Sequence, residues 1–441
     1  MMTSIKNQQA ILEKLGIEAL NAMQNESLLK IKSSSEVVLL SPTGTGKTLA
    51  FLLPIVELLK DDFVGVQALI MVPSRELATQ IEQVMREMGT GFKTNAVYGG
   101  RPMSQDKIDL KHPPSVLIGT PGRIADHLRR ETFSVAGIHT LVLDEFDKSL
   151  EVGFETEMRE IVNALPKLKK KILTSATKKI EIPPFVRLKN PVHLNFLKEK
   201  TSRLKLKTVE YTEKDGLVTL LTILRHLNGK PGVVFCNFRE TVEEVSDFLT
   251  KHRFPHGCFF GGMEQIERER ALVKFRNGTH RVLLATDLAA RGIDVPEIQF
   301  VVHYELPSKA DEFIHRNGRT ARMMSDGSAY IMKWSYKPLP EFMTEFRSKL
   351  IPVSELSKTK SDAIQWKTLY ITGGRRDKIS KGDIAGLFMK QGQLDSTQLG
   401  MIEVKQEFSF VAVQDECVDS LLPLVNNVKL KTKKVRVSVV D

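Results

Sequence analysis

Short apolar runs, each followed by a polar cluster, constrain the fold of this chain more than any other feature of its sequence. The runs in its first three quarters are EVVLL, QALIMV, SVLIG, TLVLD, KILTSAT, GVVFC, RVLLATD, QFVVHY and SAYIM. Their length, their Val, Ile and Leu content and their lack of alternation are typical of parallel strands buried on both faces. Helix-like segments such as SRELATQIEQVMREM lie between them. The pattern predicts an α/β fold with doubly wound parallel sheets.

The polar clusters keep to the carboxyl end of each predicted strand. SPTGTGKT follows EVVLL, PSREL follows LIMV, TPGR follows VLIG, DEFD follows LVL, and SAT follows KILT. Later in the chain, CNFRE follows GVVF and TDLAARGID follows VLLA. Because open α/β sheets bind ligands beyond the carboxyl ends of their strands, these clusters are the candidate site.

Two breaks in the strand pattern divide the chain into three expected domains. The charged stretch NFLKEKTSRLKLKT near residues 195–208 is poor in strand signals, and SELSKTKSDAIQ near 354–365 is a second break. We predict a first α/β domain over residues 1–200, a second over 201–350 and a linker over 351–365. The segment 366–441 has the strand–helix–strand–strand–helix–strand order of a small α+β, RRM-like domain.

The amino-acid composition limits which class of protein this chain can belong to and which kind of partner it can bind. The chain has 441 residues, a formal net charge of +11 and only three cysteines. The excess of basic over acidic residues favours a polyanionic partner such as nucleic acid. The three cysteines are scattered and do not have the spacing of metal ligands. There is no apolar stretch of about 18 residues and no signal-peptide pattern at the N-terminus, so we expect a cytoplasmic protein without a membrane span.

The segment SPTGTGKT, Ser41 to Thr48, is the strongest local signal. Gly44 and Gly46 let the backbone wrap around phosphate oxygens, and Thr43 and Thr45 are further candidates for nucleotide binding in the same loop. Lys47 can reach the β and γ phosphates of a nucleotide, and Thr48 can ligate Mg²⁺. The general phosphate-loop pattern has glycine where this chain has Ser41. The alternative is a plain glycine turn before a helix, but the strand before it and the apolar helix after it favour the phosphate loop.

The segment LVLDEFDKSL places two acids at the end of an apolar run. Alone, Asp144 and Glu145 are more typical of the solvated end of an ordinary strand than of a catalytic site. With a phosphate loop upstream, Asp144 is a candidate to hold Mg²⁺ through water, and Glu145 to orient or deprotonate the attacking water. Phe146 is not a metal ligand, so we interpret it as filling an apolar gap and expect hydrolysis to survive its loss.

The segment HRNGRTAR, residues 315–322, places Arg319 and Arg322 about one helical turn apart. Arginines supplied across a gap between two domains neutralise the charge on a transferred phosphoryl group. A solvated basic helix face is the alternative interpretation.

Taken in order, SPTGTGKT, PSRELATQ, TPGR, DEFD, SAT, ATDLAARGID and HRNGRTAR resemble the DEAD-box RNA helicases of superfamily 2 over roughly residues 10–340. The resemblance implies two RecA-like domains that close over ATP, Mg²⁺ and single-stranded RNA. It also implies that Gln24 reads adenine and Asp294 contacts the ribose. Residues with an implied role in interdomain coupling are Asp147, Ser175, Thr177 and His315. Residues with an implied RNA-facing role are Arg75, Gly100, Thr120, Arg123, Arg239, Gln265, Arg268 and Thr286.

One departure from that family concerns the base. The family usually has an aromatic residue upstream of the adenine-reading glutamine, whereas this chain has no Phe, Tyr or Trp before Phe51. Either adenine selectivity is weaker, or an aliphatic residue such as Ile11 covers the base.

The tail is similar to the C-terminal domain of the bacterial DbpA-like helicases, through GGRRDKISKGDIAGL and FSFVAV. That resemblance implies binding of a hairpin in large-subunit ribosomal RNA. The segment FSFVAV lacks clear RNP1 aromatics, which argues against base stacking on the sheet. The candidate contacts are Arg375, Arg376 and Lys378, together with the cluster Lys429, Lys431, Lys433, Lys434 and Arg436. The alternative is a solvated basic face.

These observations predict a monomeric, ATP-dependent RNA helicase that locally opens short duplexes during large ribosomal subunit assembly. A general RNA helicase of RNA decay or cold response is a second hypothesis. A third is an ATP-gated RNA clamp or assembly scaffold. A DNA helicase fits the motif set less well.

Overall fold

The structure is a computed structural model, and it describes residues 6–177, 181–197, 203–212, 214–287, 298–320, 326–356 and 366–440. Its contacts divide the chain into two compact units. One unit is built mainly from residues 1–202 and the other from residues 203 onwards. In the described residues, no helix combines the length and the apolar character needed to cross a membrane.

A parallel seven-stranded sheet with the strand order β3-β4-β2-β5-β6-β1-β7 forms the centre of the first unit. Its strands are β1 (Glu36–Leu40), β2 (Ala68–Met71), β3 (Thr94–Val97), β4 (Val116–Gly119), β5 (Thr140–Leu143), β6 (Lys170–Ser175) and β7 (Val192–Asn195). Its helices are α1 (Gln8–Leu15), α2 (Ala22–Ser33), α3 (Lys47–Leu58), α4 (Arg75–Glu87), α5 (Met103–Leu110), α6 (Pro121–Arg129), α7 (Phe146–Glu151) and α8 (Glu155–Asn163).

Successive residues of β1 contribute side chains to apolar clusters on opposite faces of this sheet. Val37 and Leu39 belong to one cluster, whereas Val38 belongs to the other. A sheet covered on both faces explains why its central strands lack polar alternation. The five apolar runs predicted in this region are confirmed as β1, β2, β4, β5 and β6. The prediction missed β3 and β7, edge strands whose partly exposed faces do not require a continuous apolar run.

The second unit contains a parallel sheet with the equivalent strand order β10-β11-β9-β12-β13-β8-β14. Its strands are β8 (Arg203–Tyr211), β9 (Gly232–Phe235), β10 (Gly257–Phe259), β11 (Val282–Ala285), β12 (Phe300–His303), β13 (Asp326–Trp334) and β14 (Lys349–Leu350). Its helices are α9 (Gly216–His226), α10 (Arg239–Lys251), α11 (Gln265–Arg276) and α12 (Ala310–Asn317), with 3-10 turns at Glu341–Glu345 and Val353–Glu355.

The expectation of a strand-poor stretch near 195–208 was wrong in its second half. Residues from Arg203 belong to β8, which pairs with β13 along its whole length. The outer neighbour of β8 is only the two-residue β14. Lys205 on β8 is exposed, and Lys207 is half-buried and donates to the Tyr330 hydroxyl at 2.9 Å. Alternation of Lys with Leu in RLKLKT is therefore the signature of a near-edge strand and not of a linker.

The second unit also contains a small domain with an antiparallel sheet in the order β16-β17-β15-β20. Its elements are β15 (Trp366–Ile371), α13 (Lys381–Gly386), β16 (Leu399–Val404), β17 (Ser409–Gln414), α14 (Val418–Val425), the hairpin strands β18 (Val428–Leu430) and β19 (Lys433–Val435), and β20 (Val437–Val439). The predicted order is confirmed, except that the last predicted strand is divided between β19 and β20. A π-helical turn over Leu387–Gln391 extends α13.

One face of this small sheet is covered by α11 of the larger domain. Val273 packs against Phe410 and Val440, and the Thr279 hydroxyl lies 2.8 Å from that of Thr368. Arg276 reinforces the contact through an ion pair of 2.8 Å with Glu403. Tyr370 and Phe408 belong to the same cluster. The aromatic residues of the sheet thus stabilise an internal contact between domains.

Phe146 lies within the apolar cluster on one face of the first sheet and is 1% exposed. We predict that Phe146→Ala lowers the free energy of unfolding of this unit by about 3–5 kcal/mol, because it removes a buried ring and leaves a cavity. Urea denaturation followed by circular dichroism measures the loss. Leu29→Ala is the matched control, since Leu29 is 68% exposed in the same unit. Equal effects of the two changes would contradict the packing role of Phe146.

Candidate nucleotide and RNA site

The loop between β1 and α3 has the backbone of an anion-binding loop. Gly44 and Gly46 have φ angles of 78° and 86°, a left-handed conformation that favours glycine. Helix α3 begins at Lys47, so its unpaired N–H groups face the loop. The Lys47 ammonium is largely buried and donates to the carbonyl oxygens of Ser41, at 2.6 Å, and Pro42, at 2.8 Å.

Ser41, which replaces the usual first glycine, has a structural role in this loop. Its hydroxyl lies 2.8 Å from the Thr45 hydroxyl, and Thr45 also donates to the Pro42 carbonyl at 2.9 Å. These bonds close the loop across its base. Thr43 and Thr48 lie in the same loop and first helical turn.

Gln24 lies against the phosphate loop, although it is distant in sequence. Its side-chain amide nitrogen donates to the Gly46 carbonyl at 3.3 Å, and its amide oxygen caps α2 by accepting from the Asn21 N–H. Asn21 in turn donates to the Thr45 carbonyl at 3.0 Å. Ile11 is 1% exposed inside the apolar core, so it offers no face to a base in this structure.

The two acids at the end of β5 are held together by Thr174 on the neighbouring strand β6. The Thr174 hydroxyl donates to Asp144 Oδ1 and accepts from the Glu145 backbone N–H at 3.1 Å. Glu145 has a φ of 47°, a left-handed conformation that costs a residue with a Cβ of order 1–3 kcal/mol. Thr174 therefore helps to hold a strained backbone, and sequence reasoning missed it because only strand pairing brings it near.

Burial, together with the adjacent Glu145 carboxylate, raises the pKa of the Asp144 carboxyl to about 6. The same two causes raise the pKa of Asp147 to about 6. Thr177 donates to Asp147 at 3.3 Å, and the Thr177 N–H donates to the Ser175 hydroxyl at 2.9 Å. The SAT turn after β6 is thereby connected to the acids after β5.

The RNA-facing candidates of the first unit follow the adjacent strands β2, β3 and β4. Arg75 lies against Gly100, where an added Cβ would be 2.4 Å from the guanidinium. Thr120 precedes α6 and Arg123 lies in the first turn of that helix. Because parallel strands share their carboxyl edge, the structure brings these candidates to one edge of the sheet.

The candidates of the second unit converge near the end of β10. The guanidinium of Arg239 lies 5.2 Å from the Phe260 ring, and that of Arg268 lies 4.5 Å from the Phe259 ring. The Thr286 N–H donates to the Phe259 carbonyl at 3.4 Å. Gln265 begins the adjacent helix α11. The two phenylalanines that position these arginines were missed in the sequence, where they show only as part of an apolar run.

In HRNGRTAR, His315 and Arg319 are largely buried. Arg322 and Asp294 lie outside the described residues, so the expected spacing of Arg319 and Arg322 stays a prediction. Sequence analysis missed Arg316, which is 1% exposed. Its Nε and Nη2 bind the Asp287 carboxylate, and its Nη1 donates to the Glu305 carbonyl at 2.6 Å.

The tail candidates Arg375, Arg376 and Lys378 occupy an exposed 3-10 turn after β15. In the second basic cluster, Lys431 pairs with Asp383 and Lys433 with Asp377, each at 2.9 Å. The remaining members are exposed, namely Lys429, Lys434 and Arg436.

Family models match three successive parts of the chain. A DEAD/DEAH box helicase domain matches residues 21–182, a helicase conserved C-terminal domain matches residues 215–324, and a DbpA RNA binding domain matches residues 368–439.

Relatives and solved structures agree with this assignment. The chain is 30% identical to the ATP-dependent RNA helicase DbpA of Escherichia coli (strain K12), over 97% of this chain and 95% of that protein. It is 29% identical to DbpA of Bacillus subtilis (strain 168), over 97% and 96% of the two chains. Among solved structures, it is similar to Saccharomyces cerevisiae Dbp5 bound to RNA and ADP BeF3, with a TM-score of 0.69, 26% identity and coverage of 78% of this chain and 94% of that one. From its fold, its motif geometry and these matches, the chain belongs to the DEAD-box ATP-dependent RNA helicases of the DbpA type.

Proposed function

We propose that this RNA helicase locally opens short RNA duplexes during assembly of the large ribosomal subunit. The observation that carries the proposal is the combination, in one chain, of a phosphate loop, the acid pair Asp144 and Glu145, and a DbpA RNA-binding domain with an exposed basic turn. The proposed organisation is two RecA-like domains over residues 1–200 and 201–350, a linker over 351–365 and the RNA-binding domain over 366–441. We take the protein to be a cytoplasmic monomer.

The nucleotide site follows from the chemistry of the loop and the acids. The phosphate loop residues Thr43 to Thr48 would bind the phosphates, and Lys47 would exchange its two carbonyl partners for phosphate oxygens. Thr48 and Asp144 would hold Mg²⁺. The described residues contain no cluster of three or more His, Cys, Asp or Glu side chains that could hold a metal. A magnesium ion bound by few protein groups, phosphate and water fits that donor set.

Glu145 is the proposed group that orients or deprotonates the attacking water. Its half-buried carboxylate sits on the strained residue next to Asp144. Arg319 and Arg322 would neutralise charge on the transferred phosphoryl group, and Gln24 and Asp294 would contact adenine and ribose. Asp147, Ser175 and Thr177, which are hydrogen-bonded to one another, would couple the nucleotide to domain closure, and His315 would take part in the same coupling.

RNA would bind to the carboxyl edges of the two parallel sheets. The proposed contacts are Arg75, Gly100, Thr120, Arg123, Arg239, Gln265, Arg268 and Thr286. Guanidinium, hydroxyl and backbone N–H groups suit phosphate and sugar contacts, which do not read sequence. Affinity for RNA would therefore fall steeply with salt.

Recognition of a particular RNA is assigned to the tail. Because α11 covers the aromatic face of its sheet, the exposed turn with Arg375, Arg376 and Lys378 is the proposed contact with a hairpin of large-subunit ribosomal RNA. This supports a targeting role that does not depend on base stacking over the sheet.

We predict that Thr174→Val slows RNA-stimulated ATP hydrolysis about tenfold at saturating ATP and RNA, because the acids lose the hydroxyl that bridges them. Thr174→Ser keeps the hydroxyl and is the matched control, expected to stay within about threefold of the unmodified chain. Steady-state phosphate release provides the rates. A Thr174→Val enzyme with full turnover would contradict this role.

Two further variants separate binding from hydrolysis. Lys47→Ala should lose binding of a fluorescent ATP analogue, because it removes the only cation of the phosphate loop. Glu145→Gln should bind ATP and RNA yet hydrolyse at least about a hundredfold more slowly, since the general base is lost. Normal turnover by Glu145→Gln would show that another group activates the water.

Targeting is tested by ATP hydrolysis with ribosomal RNA and with unrelated RNA of equal length. We predict that ribosomal RNA stimulates the full chain more strongly, and that a chain ending near residue 356 loses this preference. Because truncation also uncovers α11, a full-length variant with Arg375, Arg376 and Lys378 all changed to alanine is needed, and it should lose the preference as well. The charge-matched control changes Lys230, Lys337 and Lys349, which are exposed in the second parallel-sheet domain, and should keep the preference.

Equal stimulation of all these variants by both RNAs would contradict targeting and favour a general RNA helicase. ATP hydrolysis without strand separation of a short duplex would favour an ATP-gated clamp.

A further inference from the structure

A buried carboxylate on α5 organises the RNA-facing edge of the first unit. Asp106 is fully buried and lies one helix before the TPGR motif. Placing an ionised carboxylate in the interior costs several kcal/mol unless cations and hydrogen-bond donors surround it. The groups around Asp106 therefore determine whether the cost of burying its carboxylate is offset.

Three donors converge on one oxygen of this carboxylate. Arg123 Nε donates to Asp106 Oδ2 at 2.8 Å, and Arg123 Nη2 lies 2.7 Å from the same oxygen. The His127 ring, also fully buried, places Nε2 at 3.1 Å. Arg101 Nη1 lies 3.5 Å from the other oxygen, Oδ1.

These contacts fix the orientation of the Arg123 guanidinium. Besides its contact with Asp106, Nη2 donates to the Arg101 carbonyl at 2.9 Å. The remaining amino group, Nη1, makes no hydrogen bond with any residue in the described part of the chain. Since Nε and Nη2 are already engaged, Arg123 can offer an anion only its Nη1 edge.

The same network connects two elements that carry proposed RNA contacts. Arg123 and His127 are four residues apart on one face of α6, and His127 Nδ1 lies 2.7 Å from the Thr132 hydroxyl after that helix. Arg101 directly follows Gly100 in the loop after β3. Asp106 thus ties the loop after β3 to the helix after β4.

We infer that Asp106 is a positioning residue that aims Arg123 at an RNA phosphate, an inference that rests on the proposed RNA contact of Arg123. A positioning role and a purely electrostatic role of Asp106 predict opposite changes in RNA affinity when its charge is removed. Removing a negative charge near a polyanion strengthens binding if only the charge matters. Removing the group that orients Arg123 weakens binding.

Asp106→Asn tests the inference in the full-length protein, because it removes the charge at almost constant shape. We expect the affinity for a single-stranded RNA, measured by fluorescence anisotropy with an ATP analogue present, to fall about tenfold, as for one charge-assisted hydrogen bond. The turnover number at saturating RNA should change by less than about twofold, since the nucleotide site is untouched. Asp126→Asn is the control: it removes the same charge from α6, where Asp126 pairs with Arg130 at 2.7 Å. It should bind RNA as tightly as the unmodified chain or more tightly.

A double-mutant cycle with Arg123→Ala excludes a merely structural effect. In the Arg123→Ala background, Asp106→Asn should cause no further loss of RNA affinity. A loss that persists in that background, or unchanged or tighter binding by Asp106→Asn alone, would overturn the inference. If Arg123→Ala itself leaves RNA affinity unchanged, the proposed contact fails and the inference falls with it. If Arg123→Ala weakens binding and Asp106→Asn does not, only the inference fails.

Discussion

Parallel pairing of buried strands brings the polar clusters of each large domain to a single edge of its sheet. In the first unit, the phosphate loop follows β1, Arg75 follows β2, Thr120 follows β4 and Asp144 follows β5. Ser175 is the last residue of β6. No segment of the chain alone holds a nucleotide or an RNA strand. The side chains meet because the strands are adjacent and point the same way, so the proposed chemistry depends on the apolar residues that specify those strands.

Burial of ionisable groups is the second physical constraint. Asp144, Asp147 and Asp106 are carboxyl groups with almost no exposure. A threonine hydroxyl donates to each of the first two, and the Arg123 guanidinium donates to the third. Such groups cost free energy unless they are satisfied, so their partners cannot be exchanged freely. The strained backbone of Glu145 belongs to the same arrangement, because Thr174 binds both its N–H and the preceding carboxylate. Backbone strain of this kind persists only where the surrounding structure holds the residue in place.

Local sequence signals predicted much of this architecture. The central strands were predicted because they are buried on both faces, and the family followed from the order of the motifs. The three-domain division, drawn from two breaks in the strand pattern, stays a prediction. The edge strands β3 and β7 and the lysine-rich β8 were missed, because a partly solvated strand needs no continuous apolar run. Thr174, Asp106 and Arg316 were missed for a different reason: each has at least one partner that is 17 or more residues away, and only the folded chain brings the two together. The docking of α11 on the tail domain likewise depends on residues from Val273 to Val440, which no local pattern connects.

We propose that this chain couples ATP hydrolysis to RNA in particular, through contacts with the RNA backbone at the sheet edges. ATP hydrolysis should therefore be measured with single-stranded RNA and with DNA of the same sequence, over a range of salt concentrations. We expect strong stimulation by RNA, which alone offers 2′-hydroxyl groups, with an affinity that falls as salt rises, and little stimulation by DNA. Equal stimulation by both strands, or a salt-independent affinity for RNA, would contradict it.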